Sequence, residues 1–213
     1  MHLAVFGATF DPPHNGHLAL CLFARELLDI DRLIVSVSNN PFKQNRVAAD
    51  AHRMRMAELL SREINLTGAC SEVSGWELEK KQPSYTIDLL RYLHDHSPAD
   101  KLTLLVGEDS FREFSLWKEY EQLFLLCDIV VFARAATGQG AKPYEEMYRR
   151  EGVRFINFDC RVSSTVIRDH VSAGCSISSL VPSSVLRYIH EHDLYRNTAD
   201  PATLTQAQKH QES

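Results

Sequence analysis

Apolar and polar residues alternate in blocks along this chain. Leu3-Ala4-Val5-Phe6 is a short unbroken apolar run, the pattern of a parallel strand buried on both faces. A Gly/Pro-shaped turn follows, and Leu18-Ala19-Leu20-Cys21-Leu22-Phe23-Ala24 then reads as a helix. Arg32–Ser38, with Leu33-Ile34-Val35 at its centre, predicts a second strand. Asp50 is a fair N-cap for a helix through Arg62, with Met54, Met56, Leu59 and Leu60 as its apolar positions. Ala69–Trp76 is a weaker, more polar strand candidate. Ser84 caps a helix over Tyr85–His96, where Ile87, Leu90 and Leu93 recur at helical spacing. Lys101–Val106 predicts a buried strand, Glu119–Leu126 a helix and Asp128–Ala133 another strand. Thr137–Lys142 is Gly-rich and predicts a loop. A polar helix over Tyr144–Glu151 and a last strand over Val153–Phe158 come next. Helices over Ser164–Ser172 and Pro182–His192 close the pattern, the latter with Pro at its first position.

Strands that alternate with helices imply a parallel sheet with right-handed crossovers. The expected architecture is α/β: a Rossmann-like doubly wound parallel sheet, helices on both faces, and a small C-terminal helical portion. One domain over residues 1–196 accounts for the pattern, with its helical part at 161–196. From Asn197 the chain turns polar and predicts a disordered tail over 197–213.

Composition narrows the picture. A chain of 213 residues with 44% hydrophobic residues can bury a sizeable core. A net charge of −5 argues against a general nucleic-acid binder. No apolar run is long enough to span a membrane. The first strand starts within two residues of Met1, which argues against a leader segment. Five scattered cysteines, with no Cys-x-x-Cys pair, read as reduced core residues of a cytoplasmic protein.

The candidate chemistry is concentrated in Gly7-Ala8-Thr9-Phe10-Asp11-Pro12-Pro13-His14-Asn15-Gly16-His17. The strand delivers the chain into this turn, and His14 and His17 fall three apart where a helix begins, on one face. A helix start offers free N–H donors and partial positive charge, so imidazoles beside it suit a polyphosphate. Gly7 and Gly16 remove side chains where a ligand would approach. A lone His14 could equally serve as a solvated or capping residue. Farther along, Val162-Ser163-Ser164-Thr165-Val166-Ile167-Arg168 is a second capped helix start, with Arg168 one turn beyond Ser164. Its plain alternative is an ordinary capped helix with an exposed arginine.

The first segment resembles the signature of the nucleotidyltransferase superfamily, a Gly-x-Phe-Asp-Pro stretch followed by His-x-Gly-His. It is similar in particular to the bacterial nicotinate-mononucleotide adenylyltransferases, with Ala8 in place of a second glycine. The second segment resembles the same family's Ile-Ser-(Ser/Ala)-Thr-x-Ile-Arg, with Val162 for Ile. Gly107-Glu108-Asp109-Ser110 is similar to its Gly-x-Asp-Ser, Pro83-Ser84-Tyr85-Thr86 to its Pro-Ser-Tyr-Thr, and Phe114–Trp117 to its Phe-x-x-Trp. Asn39–Lys43 keeps only part of a family loop, and Arg53 matches a family arginine loosely.

The resemblance implies ATP-dependent transfer of AMP to nicotinate mononucleotide, with release of pyrophosphate. It implies His14, His17 and Arg168 as catalytic contacts to the phosphates. His17 would face the α-phosphate and His14 its neighbours, as electrostatic clamps rather than bases. Gly7, Thr9, Phe10, Gly16, Ser164, Thr165, Gly107 and Asp109 are the implied ATP contacts. Tyr85, Thr86, Trp117, Lys118 and Lys43 are implied for the acceptor, with Trp117 stacking on the pyridine and the N–H groups of Thr86 and Lys118 reading its carboxylate. Mg²⁺ would be carried by the phosphates, with no dedicated protein ligands, and Asp11 would be structural or an outer-shell partner. Partners are small molecules; a homodimer is one arrangement the sequence leaves open. Transfer to the amide mononucleotide or another phosphate acceptor, a non-catalytic nucleotide sensor, and a metal hydrolase using His14 and His17 are the rival readings.

Overall fold

A computed structural model describes residues 1–39, 46–80, 84–133, 148–149 and 151–196. Six strands are described: β1 (His2–Ala8), β2 (Arg32–Val37), β3 (Ser71–Ser74), β4 (Lys101–Gly107), β5 (Asp128–Ala133) and β6 (Arg154–Asn157). They form one sheet in the order β3-β2-β1-β4-β5-β6, and every pairing is parallel. This is the Rossmann-like doubly wound arrangement expected from the alternating pattern. The strand order reverses between β1 and β4, which are direct neighbours, so their carboxyl ends flank the switch point where ligands bind in such sheets.

Period-2 alternation divides the strand side chains between two cores. Leu3, Val5, Leu102, Leu104, Val106, Ile129 and Val131 face one side. There they meet α4 (Thr86–His96), through Ile87 and Leu90, and α6 (Tyr120–Leu126), through Leu123. Ala4, Phe6, Leu33, Val35, Val37, Val130 and Phe132 face the other. That side is covered by α1 (Asn15–Leu28), through Leu20, Cys21 and Ala24, and by α2 (Asp50–Asn65), through Ala57, Leu60 and Ile64. α7 (Ser164–Ser172) and α8 (Ser183–Glu191) follow the sheet. They place Ile167, Val185 and Ile189 in a third core with Met56 of α2.

Two short helices were not expected. α3 (Trp76–Glu79) and α5 (Glu108–Phe111) are single turns whose length carries no periodic signal. Caps also differ. Ala49, not Asp50, precedes α2, and Tyr85, not Ser84, precedes α4. α7 keeps the expected bounds, and Ser163 caps it, accepting from the Val166 N–H at 3.3 Å. Pro182 is the residue before α8, not its first residue. The expected Gly-rich loop, most of the polar helix before β6, the tail and Lys43 lie outside the described residues.

All five cysteines are free, but they are not all core. Cys21 is buried, Cys175 is exposed, and Cys160 lines the cleft described next.

Candidate active site

The carboxyl ends of β1 and β4 open into a cleft of about 300 Å³. Ten of the residues singled out in the sequence line it: Gly7, Thr9, His14, Gly16, His17, Thr86, Gly107, Asp109, Trp117 and Ser164. Strand ends supply Gly7 and Gly107, and helix starts supply most of the rest.

His14 and His17 form the N-terminus of α1 as a reciprocal pair. His14 is the N-cap; its Nδ1 accepts from the His17 N–H at 3.3 Å. His17 Nδ1 accepts from the His14 N–H, also at 3.3 Å. The rings stack, with centroids 3.6 Å apart and planes 16° from parallel. This is a capping box built from imidazoles rather than from hydroxyl and carboxylate. It fixes the chemistry of both rings. A nitrogen that accepts a hydrogen bond carries no proton, so each neutral ring is protonated on Nε2 and is a donor there. Burial lowers the pKa of His14 from its usual 6.5 to about 4. It is therefore a neutral Nε2–H donor at neutral pH, and the capping reading of His14 and its place in the cleft hold together.

Phe10 does not line the cleft. Its side chain is fully buried and packs edge-on against Phe6 and His17, at centroid distances of 5.9 and 5.2 Å. It braces the His17 ring from behind. Gly16 also has a protein reason. A Cβ there would lie 2.8 Å from Cys160 Sγ and 2.9 Å from His14 Nδ1, so the missing side chain makes room for the capping ring. Ala8, where the resemblance expects a second glycine, is not among the positive-φ residues and needs none.

The second motif docks onto the first. Ser164 Oγ donates to the Pro12 carbonyl at 2.8 Å. Arg168 Nη1 donates to the Asp11 carbonyl at 2.8 Å, and Nη2 to Thr165 Oγ1 at 3.3 Å. The starts of α1 and α7 are thus joined across the turn. Arg168 and Thr165 stand beside the cleft rather than among its lining residues. Asp11 is structural. Its buried carboxylate accepts from the Val47 and Ala48 N–H groups at 2.7 and 3.1 Å and from Tyr195 Oη at 2.8 Å. Burial and the Asp11 charge push the Tyr195 phenol well above its usual pKa, so it stays a donor.

On the far side of the cleft, Trp117 packs against Phe114, centroids 5.2 Å apart, and still lines the opening. Tyr85 and Lys118 line a smaller side pocket, with Lys118 Nζ 5.0 Å from the Tyr85 ring and 3.1 Å from Asp88 Oδ1. The side chain of Lys118 is thereby committed, which leaves its N–H as the group of interest.

The sequence reading gave two site residues no role: Arg53, noticed only as a loose family match, and Glu77, not marked at all. Arg53 is fully buried, and its guanidinium donates to the Thr9 and Ser38 carbonyls at 2.8 and 3.0 Å and to Asp50 at 2.7 Å. It ties the ends of β1 and β2 together. The available signal was its register: Arg53 sits on the stripe of Met56, Ala57, Leu60 and Ile64, where an unused charge would not belong. Glu77 is buried in the cleft wall and accepts from Ser36 Oγ and the Asn39 N–H, both at 3.1 Å. Burial raises its pKa, partly offset by those donors. No sequence pattern marked it. Among the described residues no cluster of three or more His, Cys, Asp or Glu is placed to hold a metal.

Residues 5–170 match the family model described as cytidylyltransferase-like. A protein of Pelodictyon phaeoclathratiforme named "Probable nicotinate-nucleotide adenylyltransferase" is 66% identical over the full length of both chains. One of Chlorobium phaeobacteroides with the same name is 56% identical over 92% of this chain and all of its own. In fold, the chain resembles a Plasmodium falciparum nicotinic acid mononucleotide adenylyltransferase complexed with NaAD, at a TM-score of 0.73 and 18% identity. That match covers 91% of this chain and 97% of the other. No helix among the described residues is long and apolar enough to cross a membrane. The match over most of the chain and the near-complete relatives place this protein in the cytidylyltransferase-like family, among its nicotinate-nucleotide adenylyltransferases.

Proposed function

We propose that this chain transfers AMP from ATP to nicotinate mononucleotide, forming deamido-NAD and pyrophosphate. One observation carries the reading: Ser164 and Arg168 bind the turn that presents His14 and His17, so two distant helix starts converge at one cleft. An acceptor phosphate oxygen attacks the α-phosphorus of ATP in line, the bond to the β-phosphate oxygen breaks, and pyrophosphate leaves with its electrons. The attacking phosphate is already anionic and needs no base. Positioning and charge neutralisation are what remain for the protein to supply.

The capping box supports that division of labour. His14 and His17 are held as Nε2–H donors, a form suited to phosphate oxygens and unsuited to accepting a proton at Nδ1. We assign His17 to the α-phosphate, His14 to its neighbours, and Arg168 with the α7 start to the outer phosphates. Gly7, Thr9, Gly16, Gly107 and Asp109 would border the nucleotide, and Trp117, Tyr85, Thr86 and Lys118 the pyridine. Mg²⁺ would arrive with the triphosphate. It prefers oxygen ligands and retains waters, so one cleft carboxylate such as Asp109 suits an outer contact better than a cage. When bound, it would neutralise charge on the leaving pyrophosphate. Free cysteines support a reducing compartment, and we place the reaction in the cytoplasm.

The test is pyrophosphate release with ATP plus either the acid or the amide mononucleotide. The acid should be used faster. Faster use of the amide would move the chain to the sister activity, and no release with either would favour a sensor.

A further inference from the structure

α8 ends at Glu191, and the segment that leaves it is strained. Asp193 and Tyr195 both take left-handed backbone angles, with φ of 48° and 64°. Neither is glycine, so each conformation is unfavourable by itself and persists only where surrounding contacts hold it. The Leu194 N–H donates to the Ile189 carbonyl at 3.0 Å and folds the segment back on α8. The reversal carries the Tyr195 ring into the third core, with Met56, Ile167 and Ile189. A large apolar side chain would fill that place as well. Tyrosine adds a hydroxyl, which must find a partner once it is buried.

The partner is Asp11, whose Oδ1 accepts from Tyr195 Oη at 2.8 Å. Asp11 anchors the turn between β1 and α1. Val47 N–H holds Oδ2 at 2.7 Å; Ala48 N–H, at 3.1 Å, and Tyr195 share Oδ1, where Tyr195 makes the shorter bond. A phenol donating to a charged acceptor makes one of the stronger kinds of hydrogen bond. The Asp11 carbonyl, in turn, accepts from Arg168 Nη1 at 2.8 Å. Only Pro12 and Pro13 separate Asp11 from His14, the cap of α1. Their fixed φ leaves that link little freedom. A displacement of Asp11 therefore passes to His14 along the chain and to Arg168 through the carbonyl.

We propose that Tyr195 is a positioning residue for AMP transfer: through its bond to the Asp11 carboxylate it fixes the turn that sets His14, His17 and Arg168 against the phosphates. This rests on the functional reading given above. Tyr195 touches no reacting atom. It makes the geometry of the phosphate contacts depend on the segment after α8, which the sequence places far from both motifs.

The experiment uses the full chain with Tyr195→Phe, which keeps the packed ring and removes only the hydroxyl. Pyrophosphate release with ATP and nicotinate mononucleotide is measured well below the melting temperature, beside the folded fraction from circular dichroism. Turnover should fall roughly tenfold, because displaced contacts to the reacting group lower the rate steeply. KM for the mononucleotide should stay within about twofold, since its proposed contacts, Trp117 and Thr86, belong to other elements. Amide exchange in the ligand-free protein should quicken at His17 and Leu18, whose N–H groups bond to His14, and stay as it was at Ile189 within α8. Unaltered turnover overturns the proposal. So does a loss of turnover no larger than the loss of folded protein, or exchange that changes equally at His17 and Ile189; both mark a packing role. Should the unaltered chain release no pyrophosphate with either mononucleotide, the functional reading fails instead. Exchange then decides separately whether Tyr195 holds the turn: a larger increase at His17 than at Ile189 supports it, and an equal change or none overturns it.

Discussion

His14 carries two duties that usually fall to different residues. As N-cap it holds the first turn of α1, and as a buried Nε2–H donor it faces the cleft. Both duties need a neutral ring. The folded pKa of about 4 lies below the unfolded value of 6.5, so between those values the unfolded chain binds more protons. Stability should be whole above about pH 6.5 and fall as pH drops towards 4, by on the order of 3 kcal/mol. Urea unfolding at pH 7 and pH 5 measures the slope. His14→Asn separates the duties, because Asn is a good cap and has no ring to titrate. It should melt near the unaltered protein at pH 7, lose part of the acid slope, and turn over on the order of a hundredfold slower. His14→Ala should lose about 1 kcal/mol as well, from the missing cap. A His14→Asn protein with full turnover would reduce His14 to a cap. The pair three apart was legible in the sequence; its reciprocal bonding was not, because imidazole is a rare partner in a capping box.

At the scale of elements, what could be read and what could not divide along periodicity. β1, β2, β4 and β5 announce themselves as apolar runs, and α2 and α4 by spacing, because burial on a sheet or along a stripe forces those patterns. α3 and α5 are single turns and impose none. Glu77 was missed for that reason: α3 alone places it at the end of β2. Arg53 was half visible. Its position on the apolar stripe of α2 was a conflict that only a buried partner could resolve, and the partners are main-chain carbonyls with no sequence signature. The structure makes that arginine the tie between two strand ends. Arg53→Met keeps the apolar stem but leaves the Thr9 and Ser38 carbonyls unpaired. It should cost on the order of 3 kcal/mol in chemical unfolding. The ends of β1 and β2 should loosen with it, seen as faster amide exchange at Thr9 and Ser38 than at Leu3. Exchange that rises evenly over β1 would mean that Arg53 serves global packing only.

For the whole molecule, the alternation of strands and helices implied a doubly wound sheet, and the strand order places a reversal between β1 and β4. That reversal explains why a motif after the first strand and another after the fourth, far apart in the chain, border one cleft. It also assigns different reasons to three glycines there. Gly16 is needed by the protein, since its Cβ would strike Cys160 and His14. Gly7 and Gly107 end the two central strands, and a Cβ on either meets nothing within 4 Å. Neither has a positive φ, so the fold places no demand on them. If the ligand is what requires their bareness, Gly7→Ala and Gly107→Ala should fold normally. They should gain up to about 1 kcal/mol by restricting the unfolded chain. KM for ATP should still rise roughly tenfold or more, because the added methyl occupies the space where the nucleotide backbone approaches. Gly16→Ala should instead lower both stability and turnover. Unfolding curves and ATP titrations on the three variants separate these cases. Gly107→Ala with unaltered ATP kinetics would place the nucleotide away from the switch point, and the convergence of the two motifs would then need another purpose.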